Sequence, residues 1–248
     1  MASASQAAVP RRMPAVTGPK GLVDRYFYLF ASLLIAAIVV WGFSHTIDQS
    51  LFHASPPRPL LLWFHGAAFS SWVLFFIFQS ALVRTRNVRW HRFFGWFGVA
   101  LASVMVVLGC VIAVVMARFD WYTLHEPGTD VFLSIPFGDM LEFGPLVALA
   151  ILWRKQPELH RRLIFIATCC LLDAAFGRID YLFNHDLYYW CLDAVILLGV
   201  VRDLLVNRSI HKVYRVTLPV LIVWQALLIY LYRGAPAWWH TVTSRIVG

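Results

Sequence analysis

Two histidines, each followed directly by arginine, open two apolar segments: Trp90-His91-Arg92 and Leu159-His160-Arg161-Arg162. Each pair comes out of a basic turn, so both lie at one depth on one side. Two imidazoles presented at matching depth can ligate a single iron, as the axial pair of a haem b does. Arg92, Arg161 or Arg162 can then meet the propionates of such a group through charge-assisted hydrogen bonds. The competing use of the same residues is interfacial anchoring, with long side chains reaching to the membrane surface.

A second set lies in the opposite halves of the apolar segments: His65, Asp139, Glu142, Asp173, Arg178, Asp180 and Asp193. Glu142 shares a helical face with Asp139 at i+3, and Asp173, Gly177 and Asp180 share one at i, i+4 and i+7. A charge facing lipid costs roughly 2.5 kcal/mol or more, so these groups are expected to converge, pair or line a pocket. His65 with Asp139 and Glu142 has the donor types for a divalent metal. Carboxylates can instead relay protons or hold a polar or cationic solute. The third alternative is a structural network in which Arg178 neutralises Asp139 or Asp193. Gln79 joins the buried polar set, because His65, Phe69, Trp72, Phe76 and Gln79 step by four, three, four and three along one helical stripe.

The elements that must position these groups are membrane helices. Of 248 residues, 60% are hydrophobic and 14% charged, and the mean hydropathy is +0.68. Seven apolar runs of about 18 residues or more are each long enough for the hydrocarbon core. They are expected over 26–43, 60–83, 93–117, 131–153, 163–182, 187–206 and 213–232. Pro56, Pro57 and Pro59 separate the first two. Residues 1–24 are read as a disordered basic tail, and 25–248 as a single all-α domain. Spans two to five are expected to form its core, with Gly66, Gly95, Gly98, Gly109, Gly138, Gly144 and Gly199 as small-residue contacts. Trp238-Trp239-His240 reads as an interfacial aromatic signature.

The formal charge of +8 does not call for nucleic acid, because the basic residues sit in short clusters between apolar runs. Sixteen of the 21 Lys and Arg fall in the N-terminal tail and the turns after spans two, four and six. That asymmetry puts the N-terminus in the cytoplasm and the C-terminus outside. Cys110, Cys169, Cys170 and Cys191 all lie within apolar runs and read as small hydrophobes. No lysine lies within a span, which excludes a retinal Schiff base, and no phosphate-cradling glycine motif occurs.

The pattern His65-Gly66 … Trp72 … Gln79 … His91-Arg92 … Gly95, followed by Phe137-Gly138-Asp139-Met140 and Glu158-Leu159-His160-Arg161-Arg162-Leu163, resembles uncharacterised bacterial multi-span proteins of this length. It covers about residues 60–180. That likeness implies a bacterial inner-membrane location and no particular activity. Spans two to five are also similar in layout to the transmembrane di-haem cytochrome b family. This second resemblance implies a haem pair on His91 and His160 only. The family's outer site needs a histidine on span four, where this chain has Asp139 and Glu142. Two functions therefore stand at this point: a haem b redox protein working with a small electron donor, and a transporter or sensor with a solute or metal in the outer pocket.

Overall fold

A computed structural model describes residues 19–126 and 128–248. Most of the expected tail, residues 1–18, lies outside the described residues. The chain is helical throughout, with no strand among the described residues. Helix α1 (Pro19–Ser44) begins with proline in its first turn, where the missing N–H costs nothing. It therefore starts well before the expected Tyr26 and takes in Lys20, Asp24 and Arg25. Helix α2 (Leu61–Arg84) starts just past the proline cluster, and Thr85–Asn87 turns the chain into α3 (Val88–Tyr122). At 35 residues α3 is about 52 Å long, more than a bilayer core requires. A 3-10 turn at Val131–Leu133 leads into α4 (Ser134–Leu152).

Among the described residues five segments are long and apolar enough to cross a membrane: Gly21–Ser44, Leu61–Arg84, Val88–Tyr122, Val131–Leu152 and Lys212–Gly234. The expected fifth span is not one helix. It divides into α5 (Pro157–Cys169), a 3-10 turn at Cys170–Leu172, α6 (Asp173–Phe176) and α7 (Asp180–Asn184). Ile179 is extended between the last two, so the helical face proposed for Asp173, Gly177 and Asp180 does not exist. The next helix, α8 (Tyr188–Asn207), carries Asp193, Arg202 and Asp203 within its 20 residues. Then come α9 (Lys212–Gly234) and α10 (Ala237–Val247).

The core draws on the first, sixth and seventh apolar segments as well as on the second to fifth. Its most enclosed element is α5, where Phe165, Ile166, Ala167 and Cys169 are fully buried against α4 and α8. Helices α2 and α3 instead expose large apolar side chains such as Phe64, Leu74, Phe93 and Val107, as surfaces meeting lipid do. Close helix approaches use glycine, though partly at other positions than expected. A Cβ on Gly42 would stand 2.3 Å from the Ala175 carbonyl oxygen, so α1 lies directly on α6. At Gly199 it would meet the Tyr214 hydroxyl at 2.1 Å. A Cβ on Gly66 or Gly95 would meet no other segment within 4 Å, so neither is needed for a close helix approach. The Trp238-Trp239-His240 segment belongs to α10, which docks on α3. There Arg118 donates to the Ile246 carbonyl at 2.7 Å, and Thr243 donates to Asp130 at 2.7 Å.

Candidate functional site

The tight turns after α2 and α4 place two histidines in the first turns of α3 and α5, and the structure brings them together. The ring centres of His91 and His160 are 6.1 Å apart, with their planes at 77°. His160 Nδ1 lies 2.9 Å from the Ala150 carbonyl. A carbonyl only accepts, so Nδ1 carries the proton and Nε2 keeps its lone pair. The His91 Nδ1 is buried and has no hydrogen-bond partner. With metal–nitrogen bonds of about 2 Å, two imidazoles across one metal have ring centres about 6 Å apart. The observed separation matches that figure, and anchoring one ring nitrogen to a carbonyl is how metal-binding histidines are held.

Gln79 lies beside this pair, not in the opposite half. It is 8% exposed, and neither its Oε1 nor its Nε2 has a partner. The stripe that placed it is sound in one respect: Trp72, Phe76 and Gln79 are the buried residues of α2. Of the arginines expected near propionates, Arg92 is exposed on α3. Arg161 is held by Glu158 at 2.7 Å and Asp24 at 3.6 Å, and Arg162 is held as described next.

Arg162 and Asp203 are both fully buried and meet in a two-pronged pair, with Nε donating to Oδ2 at 2.9 Å and Nη2 to Oδ1 at 2.5 Å. Arg162 Nη1 also donates to Glu158 at 2.6 Å. Arg202 donates to Asp203 at 2.7 Å and pairs with Asp24. Three arginines thus interlock with three acids where α1, α5 and α8 meet. Burial alone would raise the Glu158 carboxyl, but its hydrogen bond to Arg162 and the charge of Arg161 hold it below the usual range. Sequence reasoning missed Asp24, Glu158, Arg202 and Asp203 as members of this network. The available signal was Arg202-Asp203 ending one helix while Arg161-Arg162 begins its antiparallel neighbour.

At the other end of α5 and α8 the acids are not paired. Asp139 on α4 lies against Asp173 at the start of α6, and the Tyr189 hydroxyl faces it. Glu142 neighbours the Cys170 thiol, and Asp193 accepts from Gln225 at 3.3 Å. All four acids are buried, and oxygens of Asp139, Glu142 and Asp173 have no hydrogen-bond partner. Arg178 is half-buried, donates to the Ala174 carbonyl and stacks 3.8 Å from the Phe43 ring centre. Its charge reaches Asp173, rather than Asp139 or Asp193 as expected. Asp180 is exposed on α7 and takes no part. His65 stacks on Phe69 at 4.1 Å and has an unpartnered Nδ1. Among the described residues no three His, Cys, Asp or Glu side chains converge as a metal set, so His65, Asp139 and Glu142 do not form one there. The four cysteines are free thiols, with Cys169 and Cys170 buried.

Fold and sites together define an all-helical, multi-pass membrane protein with a histidine pair at one end of its bundle and buried acids at the other. Compared with family models, curated proteins and solved structures, the chain matches none.

Proposed function

We propose that this protein is a membrane redox protein that holds a haem b iron between His91 and His160. The observation that carries the reading is the approach of two half-buried imidazoles to 6.1 Å between ring centres, with the Nδ1 of His160 tied to a carbonyl. A bound haem supplies one-electron transfer at a potential set by its axial ligands and surroundings. The residues of this chain do the rest. Ala150 orients the His160 ring through its carbonyl, and Arg89 and Arg92 present cations at the rim. Arg161 and Arg162 hold the start of α5 in place rather than meeting propionates.

In this reading the chain crosses seven times, with α5 to α7 as a broken fifth passage and α8 as the sixth. The distribution of cations supports a cytoplasmic N-terminus and a histidine pair near the cytoplasmic face of a bacterial inner membrane. Protein purified from haem-supplied cells is expected to be red, with a Soret band that His91→Ala and His160→Ala each abolish. Colourless protein from such cells would end the proposal.

A further inference from the structure

One outward face of α3 carries cations that the protein itself does not answer. We propose that this face, together with the turn between α4 and α5, binds an anionic phospholipid, its phosphate among the cations and its acyl chains along α3. Arg89, Arg92, Phe93 and Trp96 stand at i, i+3, i+4 and i+7 of the helix, so they share one side of it. Both arginines are exposed, and so are Phe93 at 65% and Trp96 at 64%. The turn after α4 brings Arg154 and Lys155, also exposed, to the same place. The Arg154 guanidinium lies 5.7 Å from the Trp96 ring centre and donates to the Ile151 carbonyl at 3.0 Å, which seats it over that side of α3.

Charge names the headgroup. No Asp or Glu occurs between Asp48 and Asp120, and none of these four cations forms an ion pair among the described residues. A few residues along the chain the pattern is the reverse, with Arg161 and Arg162 both answered by acids. The local excess at Arg89, Arg92, Arg154 and Lys155 is therefore left for an anion supplied from outside. Depth names the rest of the partner. Phe93 and Trp96 belong to a segment long and apolar enough to cross a membrane, so whatever the cations hold must continue as hydrocarbon over those rings. A free phosphate or an acidic peptide meets the first condition alone. A phospholipid meets both, and each cation near an anionic membrane surface strengthens the attraction by about fivefold.

The test is native mass spectrometry of the full-length, delipidated protein in micelles, titrated with phosphatidylglycerol or with phosphatidylcholine of the same acyl chains. The first phosphatidylglycerol is expected to bind about tenfold or more tightly than the first phosphatidylcholine. Arg154→Ala should weaken that first adduct by about fivefold, and Arg154→Ala with Lys155→Ala by more, with phosphatidylcholine binding unchanged. Replacing Arg208, Lys212 and Arg215, exposed cations of the turn between α8 and α9, by alanine should leave the preference in place. Inorganic phosphate should fail to displace the lipid. Equal binding of the two lipids by the wild type would overturn the inference without recourse to any variant. So would a full preference in folded Arg154→Ala with Lys155→Ala, an equal loss in the Arg208, Lys212 and Arg215 variant, or displacement by inorganic phosphate. None of these results depends on whether the protein carries haem.

Discussion

The two polar regions at opposite ends of α5 and α8 use the same residue types to opposite effect. At one end Arg162, Arg202 and Arg161 answer Asp203, Asp24 and Glu158, and nearly every charged oxygen has a donor. At the other, only Asp173 of the four acids Asp139, Glu142, Asp173 and Asp193 feels the charge of Arg178, and several oxygens have no hydrogen-bond partner. Desolvation taxes both alike. Only the first recovers the loss within the protein, so it reads as architecture. The second leaves oxygens of Asp139, Glu142 and Asp173 without a partner among the described residues.

Substitutions should therefore act with opposite sign at the two ends. The largest effect is expected from Asp203→Ala, which strands two buried guanidinium groups. Breaking such a pair costs about 3–5 kcal/mol, to be read as a large fall in thermal midpoint in micelles or as failure to accumulate. The double variant Arg162→Met with Asp203→Leu should recover about half of that loss, because Arg162 is then gone while Arg202 keeps only Asp24. Gly42→Ala comes next. It forces α1 off the Ala175 carbonyl and is expected to cost about 1–3 kcal/mol, whereas Gly66→Ala, in open space, should cost little.

Asp139→Asn sharpens the contrast most. Removing an unanswered carboxylate beside Asp173 should leave the midpoint unchanged or raise stability by up to about 1 kcal/mol. A loss comparable to that of Asp203→Ala would show that these acids are as structural as the arginine network. Glu158→Gln is the smallest, a few tenths of a kcal/mol, because half of that side chain meets solvent. Its carboxyl is held below its ordinary 4.5, so its contribution is complete above that pH and fades as pH falls through the lowered value. The gap between wild type and Glu158→Gln should close on acidification.

Much of this arrangement was legible in the residues, and the exceptions have physical causes. Apolar runs placed α2 and α9 within a residue or two, and α4 to within three, because the hydropathy of those segments outweighs the internal Pro145 and Pro219. His91 and His160 were legible as a pair because each opens a helix after a basic turn, which fixes their depth. The break after Cys169 was not. Nothing in Cys170-Leu171-Leu172 forbids a helix, and the interruption accompanies the seating of α6 on Gly42 of α1. The arginine network was hidden for a related reason. Periodicity reports which face a side chain occupies but not which helix lies opposite, and Asp24 fell in a segment read as tail. Gln79 shows the same limit, since its stripe was right and its neighbours were not.

The account rests most heavily on what lies between His91 and His160. The most direct measurement is haem quantification as the pyridine haemochrome, per chain, in protein purified from haem-supplied cells. One haem b per chain, absent when His91 and His160 are both replaced by alanine, is the predicted result. Haem retained in that double variant, or none in the wild type, would contradict it.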